Sequence, residues 1–249
     1  MVLATGLGRA LGIAGSRWVH LLAGIAWIGL LYYFNFVQTP SFAQFDAGAR
    51  TEAQRKLLPR ALWWFRMAAA LTFVTGILIL GFQDQFKGDY FKSWAGLSIS
   101  AGILIATVMF LNVWLVIWPN QKIVIANADR VAGGQDPDPA AAPAARKSAL
   151  ASRTNTLFSI PVMWFMIGTS HWVVIAGRFA FTPGAGRRVV WYIVLLVLTA
   201  ALEVNALGLV GGYGPSPTRK FLDDHRQTII AGFVLWGIYF ILQLVLSIR

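Results

Sequence analysis

The sequence predicts an all-α, polytopic integral membrane bundle of about six transmembrane helices, and three observations carry that prediction. Hydrophobic residues fill 57% of the 249 positions against 12% charged, with a mean hydropathy of +0.62. The apolar residues fall in runs of about twenty, the length that crosses a hydrocarbon core about 30 Å thick. Charges, Pro and Gly collect between the runs. The whole chain, 1–249, therefore reads as one transmembrane domain.

Taken in order, the spans are placed near 17–37, 60–82, 93–117, 155–177, 188–210 and 227–248. The first is too long and too aromatic for the apolar region of a cleaved signal, so it is read as a retained helix. Residues 38–58 read as an interfacial helix, with Phe42 and Phe45 alternating with Gln44, Asp46, Arg50 and Glu52. The Ala/Pro/Gly-rich stretch at 131–150 reads as a flexible loop. "GGYGP" from Gly211 follows a span rather than joining a strand to a helix, so it reads as a turn and not a nucleotide loop.

The formal charge of +11 comes from 21 Lys and Arg against 10 Asp and Glu. These cations flank apolar spans, which points to anionic lipid headgroups as counterions and not to nucleic acid. Eight of them fall on one side of the predicted bundle and 12 on the other. By the positive-inside rule both termini then face the periplasm of a bacterial inner membrane. The absence of cysteine excludes disulfides, iron–sulfur clusters and haem attached through Cys-x-x-Cys-His.

Polar groups inside hydrocarbon are costly, so each needs a partner or a purpose. On the first span His20, Gly24, Trp27 and Leu31 recur at helical spacing and share a stripe. His171 in the fourth span has Gly168 about one turn deeper, as Gly24 is to His20, and both histidines are predicted at similar depth. That pattern suits a bis-histidine haem b with His20 and His171 on the iron and Gly24, Gly168 and Trp27 beside the ring. Interhelical hydrogen bonding is the alternative for both imidazoles. Asn35, Asn112 and Asn155 lie toward the same ends of their helices, and Arg66 joins them; such amides suit a planar hydrogen-bonding substrate, or serve as interhelical glue. No catalytic residue is defined by pattern. Glu203, the one acid inside a predicted span, and Arg66 are the candidates, either as a proton relay or as a structural ion pair. Asn205 follows on the same helix, and the aspartates of "FLDDHRQ", around His225, read as helix caps.

The stretches "RWVHLLAGIAWIGLLYYFNFVQTP", "VWLVIWPNQKIVI" and "SRTNTLFSIPVMWFMIGTSHW" resemble, in that order, the membrane domain of bacterial membrane-bound urate oxidases, or urate hydroxylases. The most specific block runs from Asn155 to Pro161 and on to His171. In full-length members this domain precedes a cytochrome c domain that takes electrons as urate becomes 5-hydroxyisourate. The resemblance implies a membrane domain without its cytochrome, since the sequence holds no Cys-x-x-Cys-His. Its electrons would pass to a separate periplasmic cytochrome c or to a respiratory complex.

Three functional readings follow. The first is a membrane oxidoreductase, or a subunit of one, with haem b. The second is a non-catalytic accessory subunit of a larger respiratory or photosynthetic complex. The third is a small-molecule or metal transporter, disfavoured for copper(I) because the chain has no Cys and five Met.

Overall fold

The computed structural model describes residues 6–176 and 182–247. The regular structure of the described residues is helical: α1 (Gly6–Tyr32), α2 (Thr39–Gln44), α3 (Ala47–Glu52), α4 (Leu58–Phe82), α5 (Gly88–Lys92), α6 (Trp94–Leu111), α7 (Trp118–Ala132), α8 (Ala141–Ala176), α9 (Ala185–Ala206) and α10 (His225–Ser247), with a 3-10 turn at Pro217–Leu222. Three π-helical segments, Tyr33–Gln38, Ala53–Leu57 and Asn112–Ile117, join α1 to α2, α3 to α4 and α6 to α7. Five continuous helices among the described residues are long and apolar enough to cross a membrane: Gly6–Gln44, Ala47–Phe82, Trp94–Ala132, Ala185–Ala206 and His225–Ser247. The span read at 155–177 lies on α8 as far as Ala176; residue 177 is outside the described residues.

Each π segment ends one residue before an X-Pro pair: Thr39-Pro40, Leu58-Pro59 and Trp118-Pro119. A proline inside a helix has no N–H to donate and its ring crowds the carbonyl four residues back. A π turn lengthens the loop by one residue and lets the helix run on. Side chains add hydrogen bonds to carbonyls in and around these turns. Thr39 Oγ1 donates to Phe34 O at 2.7 Å, Asn35 Nδ2 to Leu31 O at 2.9 Å and Asn120 Nδ2 to Val116 O at 2.7 Å.

Because the prolines are absorbed, the first three apolar helices outrun the spans read from hydropathy. A helix of 39 residues is about 58 Å long at 1.5 Å per residue, nearly twice the hydrocarbon thickness. Residues 38–58 are two helix ends meeting at a break at Phe45 and Asp46, where Asp46 Oδ1 accepts from Ala49 N at 2.8 Å and starts α3. Coil in the Ala/Pro/Gly-rich stretch is confined to 133–140 before α8 begins at Ala141. The extension is tied together by Arg55, which bridges Glu52 on α3 at 2.7 Å and Asp129 on α7 at 2.8 Å.

α8 is the hub of the bundle, packing on α6, α7 and α10 and, near its middle, on α1. α1 and α4 form a separate close pair, and in the π segment that continues α1 Phe34 meets Phe65 of α4 edge-on at 5.4 Å. The core holds Trp27, Leu31, Phe65, Phe158, Phe165, Trp191 and Tyr239, all essentially inaccessible. After α9 the chain turns through Gly208, Gly211 and Gly212, whose φ angles of +63°, +77° and +68° exclude most side chains. Arg219, 1% exposed, caps the carbonyl end of α9 by donating to Asn205 O at 3.2 Å and to Gly212 O. The same connector is fastened to α8 by Arg146 on Asp223 at 2.6 Å and by Arg153 on Leu222 O and Asp223 O at 2.7 and 2.8 Å.

Of the two adjacent aspartates, Asp223 thus bridges and Asp224 caps α10, accepting from Gln227 N at 2.9 Å. That backbone N–H, with His225 and Arg226 beside it, holds the Asp224 carboxyl below the usual aspartate range. A lowered folded value means the cap's contribution is complete above the unfolded value of about 3.9 and is lost as pH falls through the folded one. Asp224→Ala is therefore expected to lower the melting temperature at pH 7, with the gap to wild type closing in strong acid. Asp224→Asn, which keeps the acceptor but not the charge, should recover part of that loss at pH 7 and show none of its pH dependence. A D224A gap that persists unchanged at low pH would count against the cap.

Candidate functional site

Three polar side chains from three helices meet. Asn112 opens the π segment after α6, Asn155 lies on α8 and Glu203 on the last turn of α9. Asn112 is 2% exposed and Asn155 fully buried. The Asn112 amide donates to Asn155 Oδ1 at 2.9 Å and to Glu203 Oε2 at 3.1 Å, while the Asn155 amide donates to Met109 O at 2.9 Å. Glu203 Oε1 is buried with no hydrogen-bond partner among the described residues. A buried polar atom left single costs about 1–3 kcal/mol, so one carboxyl oxygen is available for a ligand or for a proton at modest further cost.

The remaining predicted polar residues do not join this cluster. Asn35 donates to Leu31 O and, across the α1–α8 contact, to Ser152 Oγ at 2.8 Å. Arg66 makes no ion pair among the described residues; its Nε donates to Leu62 O at 3.2 Å and its guanidinium lies over Trp118. Asn205 exchanges hydrogen bonds with Thr218, to Thr218 O at 2.8 Å and from Thr218 Oγ1 at 3.0 Å, and so holds the glycine-rich connector. Hydropathy found these residues because each is polar within an apolar run. It carries no signal for which of them share a helix–helix seam. The π turn at Asn112 also escaped periodicity, although an Asn followed within seven residues by an X-Pro pair marks it here.

The two histidines lie at a similar height along their helices. Tyr32 OH meets Ser159 Oγ at 2.8 Å where α1 and α8 run antiparallel, and His20 and His171 each lie twelve residues along from that contact. His20 Nδ1 is 3.1 Å from Thr75 Oγ1 on α4. That hydroxyl's own hydrogen goes to Leu71 O or Thr72 O, so the imidazole donates. Gly76 leaves room for the ring, since a Cβ there would stand 3.3 Å from His20 Cε1. His171 is exposed and folds back on its own helix, Nδ1 lying 3.3 Å from Ile167 O. Trp27 is buried in the core at 3% exposure, Gly168 is buried, and Gly24 faces open space. No group of three or more His, Cys, Asp or Glu gathers among the described residues. His20 Nδ1 is thus turned onto α4 and His171 Nδ1 onto α8 itself, so the hydrogen bonds of the two rings run to different helices.

Comparison with known families bears on the cluster. Residues 85–205 match the family model for the urate oxidase N-terminal domain. The matched segment is just under half the chain and runs from before α5 almost to the end of α9. It contains Asn112, Asn155, His171 and Glu203, and leaves out His20, Asn35 and Arg66. No curated protein and no solved structure matches the chain.

Proposed function

We propose that this chain is the membrane-embedded part of an oxidoreductase related to the urate oxidases, with Asn112, Asn155 and Glu203 receiving a planar, hydrogen-bonding substrate such as urate. The observation that carries this reading is the unpartnered Oε1 of Glu203, set inside the family-matched segment and backed by two ordered amides. A carboxyl group with one oxygen anchored by Asn112 and the other open can accept an N–H of a purine-like ring or take up its proton. In this reading the end of the bundle bearing the turns at 45–46, 133–140 and 207–224 is cytoplasmic, because it carries more Lys and Arg. Electrons leave to a separate cytochrome or respiratory complex in a bacterial inner membrane.

The test is urate binding by calorimetry to the protein in lipid nanodiscs. Wild type should bind saturably. Glu203→Gln and Asn112→Ala should each weaken binding about 10–100-fold, the loss of one charge-assisted hydrogen bond worth about 1.5–3 kcal/mol. Binding unaffected by Glu203→Gln removes the cluster from the reading.

A second reading, an accessory subunit of a larger membrane complex, draws on the wholly apolar groove between α9 and α10, lined by Val194, Val234, Ile238 and Ile241. It predicts no urate binding at all, together with co-purification of a larger assembly.

A further inference from the structure

Arg66 is a cation inside an apolar helix, and it has aromatic company instead of an acid. The Nε bond to Leu62 O, four residues back, turns its side chain toward the start of α4, the end where the 45–46 turn lies. This is the direction in which a membrane arginine snorkels toward headgroups. There the guanidinium carbon sits 3.4 Å from the ring centroid of Trp118 and 5.6 Å from that of Trp114. Lys122, exposed, brings its Nζ to 5.7 Å from the same Trp118 ring. Trp114, Trp118 and Lys122 recur every four residues, so the π turn and α7 present them as one stripe.

Two cations thus attend a single indole, and neither enters an ion pair among the described residues. The two terminal nitrogens of Arg66 have no hydrogen-bond partner among the described residues. A guanidinium stacked flat on an aromatic ring keeps its N–H edge available, the shape that grips phosphate in a bidentate way. Beside this head site the surface turns apolar: Leu111 and Leu115 are 43% and 67% exposed, and Trp63 and Trp64 pack edge-on at 4.9 Å on the outer side of α4. Exposed tryptophans at such a boundary are the usual mark of the headgroup level.

We propose that Arg66 and Lys122, arranged about Trp118, bind the phosphate of an anionic phospholipid whose acyl chains run along Leu111 and Leu115. Two positive charges against one phosphodiester favour a lipid with no ammonium of its own. Among the described residues no carboxylate pairs with Arg66 or Lys122. The inference is independent of the Glu203 cluster, which shares none of these residues.

The experiment is native mass spectrometry of the intact chain, released from detergent in the presence of phosphatidylglycerol, phosphatidylcholine or inorganic phosphate. Retained phosphatidylglycerol should exceed phosphatidylcholine at least tenfold at equal concentration. Lys122→Gln, an exposed change that leaves the bundle intact, should reduce that preference several-fold, and Arg66→Gln should abolish it. Arg66→Lys should restore it only in part, since a lysine keeps the charge but not the flat N–H edge. Equal retention of the two lipids, or wild-type retention in Lys122→Gln and Arg66→Gln together, overturns the proposal. Displacement of the lipid by millimolar inorganic phosphate also overturns it, making the site one for a soluble anion.

Discussion

Replacing Asn155 by leucine is expected to destabilise the bundle by about 1–3 kcal/mol and to weaken the proposed urate binding at the same time. The side chain is fully buried and satisfies two helices: it accepts from Asn112 and donates to Met109 O. Leucine has similar bulk, so the effect isolates hydrogen bonding from volume. One Asn112 N–H is then left single in hydrocarbon, a cost of about 1–3 kcal/mol. Interhelical hydrogen bonds in membranes average about 0.6 kcal/mol, because the separated helices also find partners, which puts the effect toward the lower end of that range. The Asn112 amide, freed on one side, no longer holds Glu203 Oε2 in a single orientation. Thermal unfolding followed by circular dichroism should show the loss of stability, and calorimetry the loss of urate affinity. A melting temperature equal to wild type would mean the amide is not structural, whatever its effect on the ligand.

The second large effect is expected at Gly232, where α10 crosses α8. A Cβ there would stand 2.8 Å from Leu157 O and 2.8 Å from Ile160 Cδ1. The isoleucine can rotate away; the carbonyl belongs to the α8 backbone and cannot. Small residues at such crossings let two helix backbones approach, and the contact is made of van der Waals packing that larger residues forfeit. Overpacking typically costs about 1–3 kcal/mol, and contact with backbone puts Gly232→Leu at or above the upper end. Gly232→Ala should fall between. With α10 displaced, the buried bond between Tyr239 OH and Thr199 Oγ1, 2.9 Å in length, is also lost, and the near-ultraviolet signal of Tyr239 and Trp191 should change. If Gly232→Leu melts within a degree of wild type, the close crossing is not what holds α10.

The outcome for the predicted residues divides along a physical line. His20, Asn35, Arg66, Asn112, Asn155 and Glu203 were recognisable because a polar side chain in an apolar run is conspicuous in any hydropathy trace. Their partners were not. The Nδ1 hydrogen bond of His20 goes to Thr75; Arg66 was read with the amides or with Glu203, yet it stacks on Trp118. The family match covers α6 through α9, the segment that holds Asn112, Asn155 and Glu203, while the block around His20 lies outside it. Arg219, 1% exposed at the end of α9, was invisible to a reading that counts any cation between spans as a surface charge.

The amino-acid order alone determined that this chain is all-helical and built of membrane-length segments, because transfer of apolar side chains out of water depends on composition and period, which are local. It also marked the polar positions, since the cost of placing an amide or carboxyl in hydrocarbon falls on each residue separately. Tertiary structure decided how far the helices run, by letting π turns absorb Pro40, Pro59 and Pro119, and which polar groups meet. Both depend on hydrogen bonds between residues dozens of positions apart, such as Asn112 to Glu203. A pairwise contact of that kind is a property of two helix faces brought together, and neither face records it by itself.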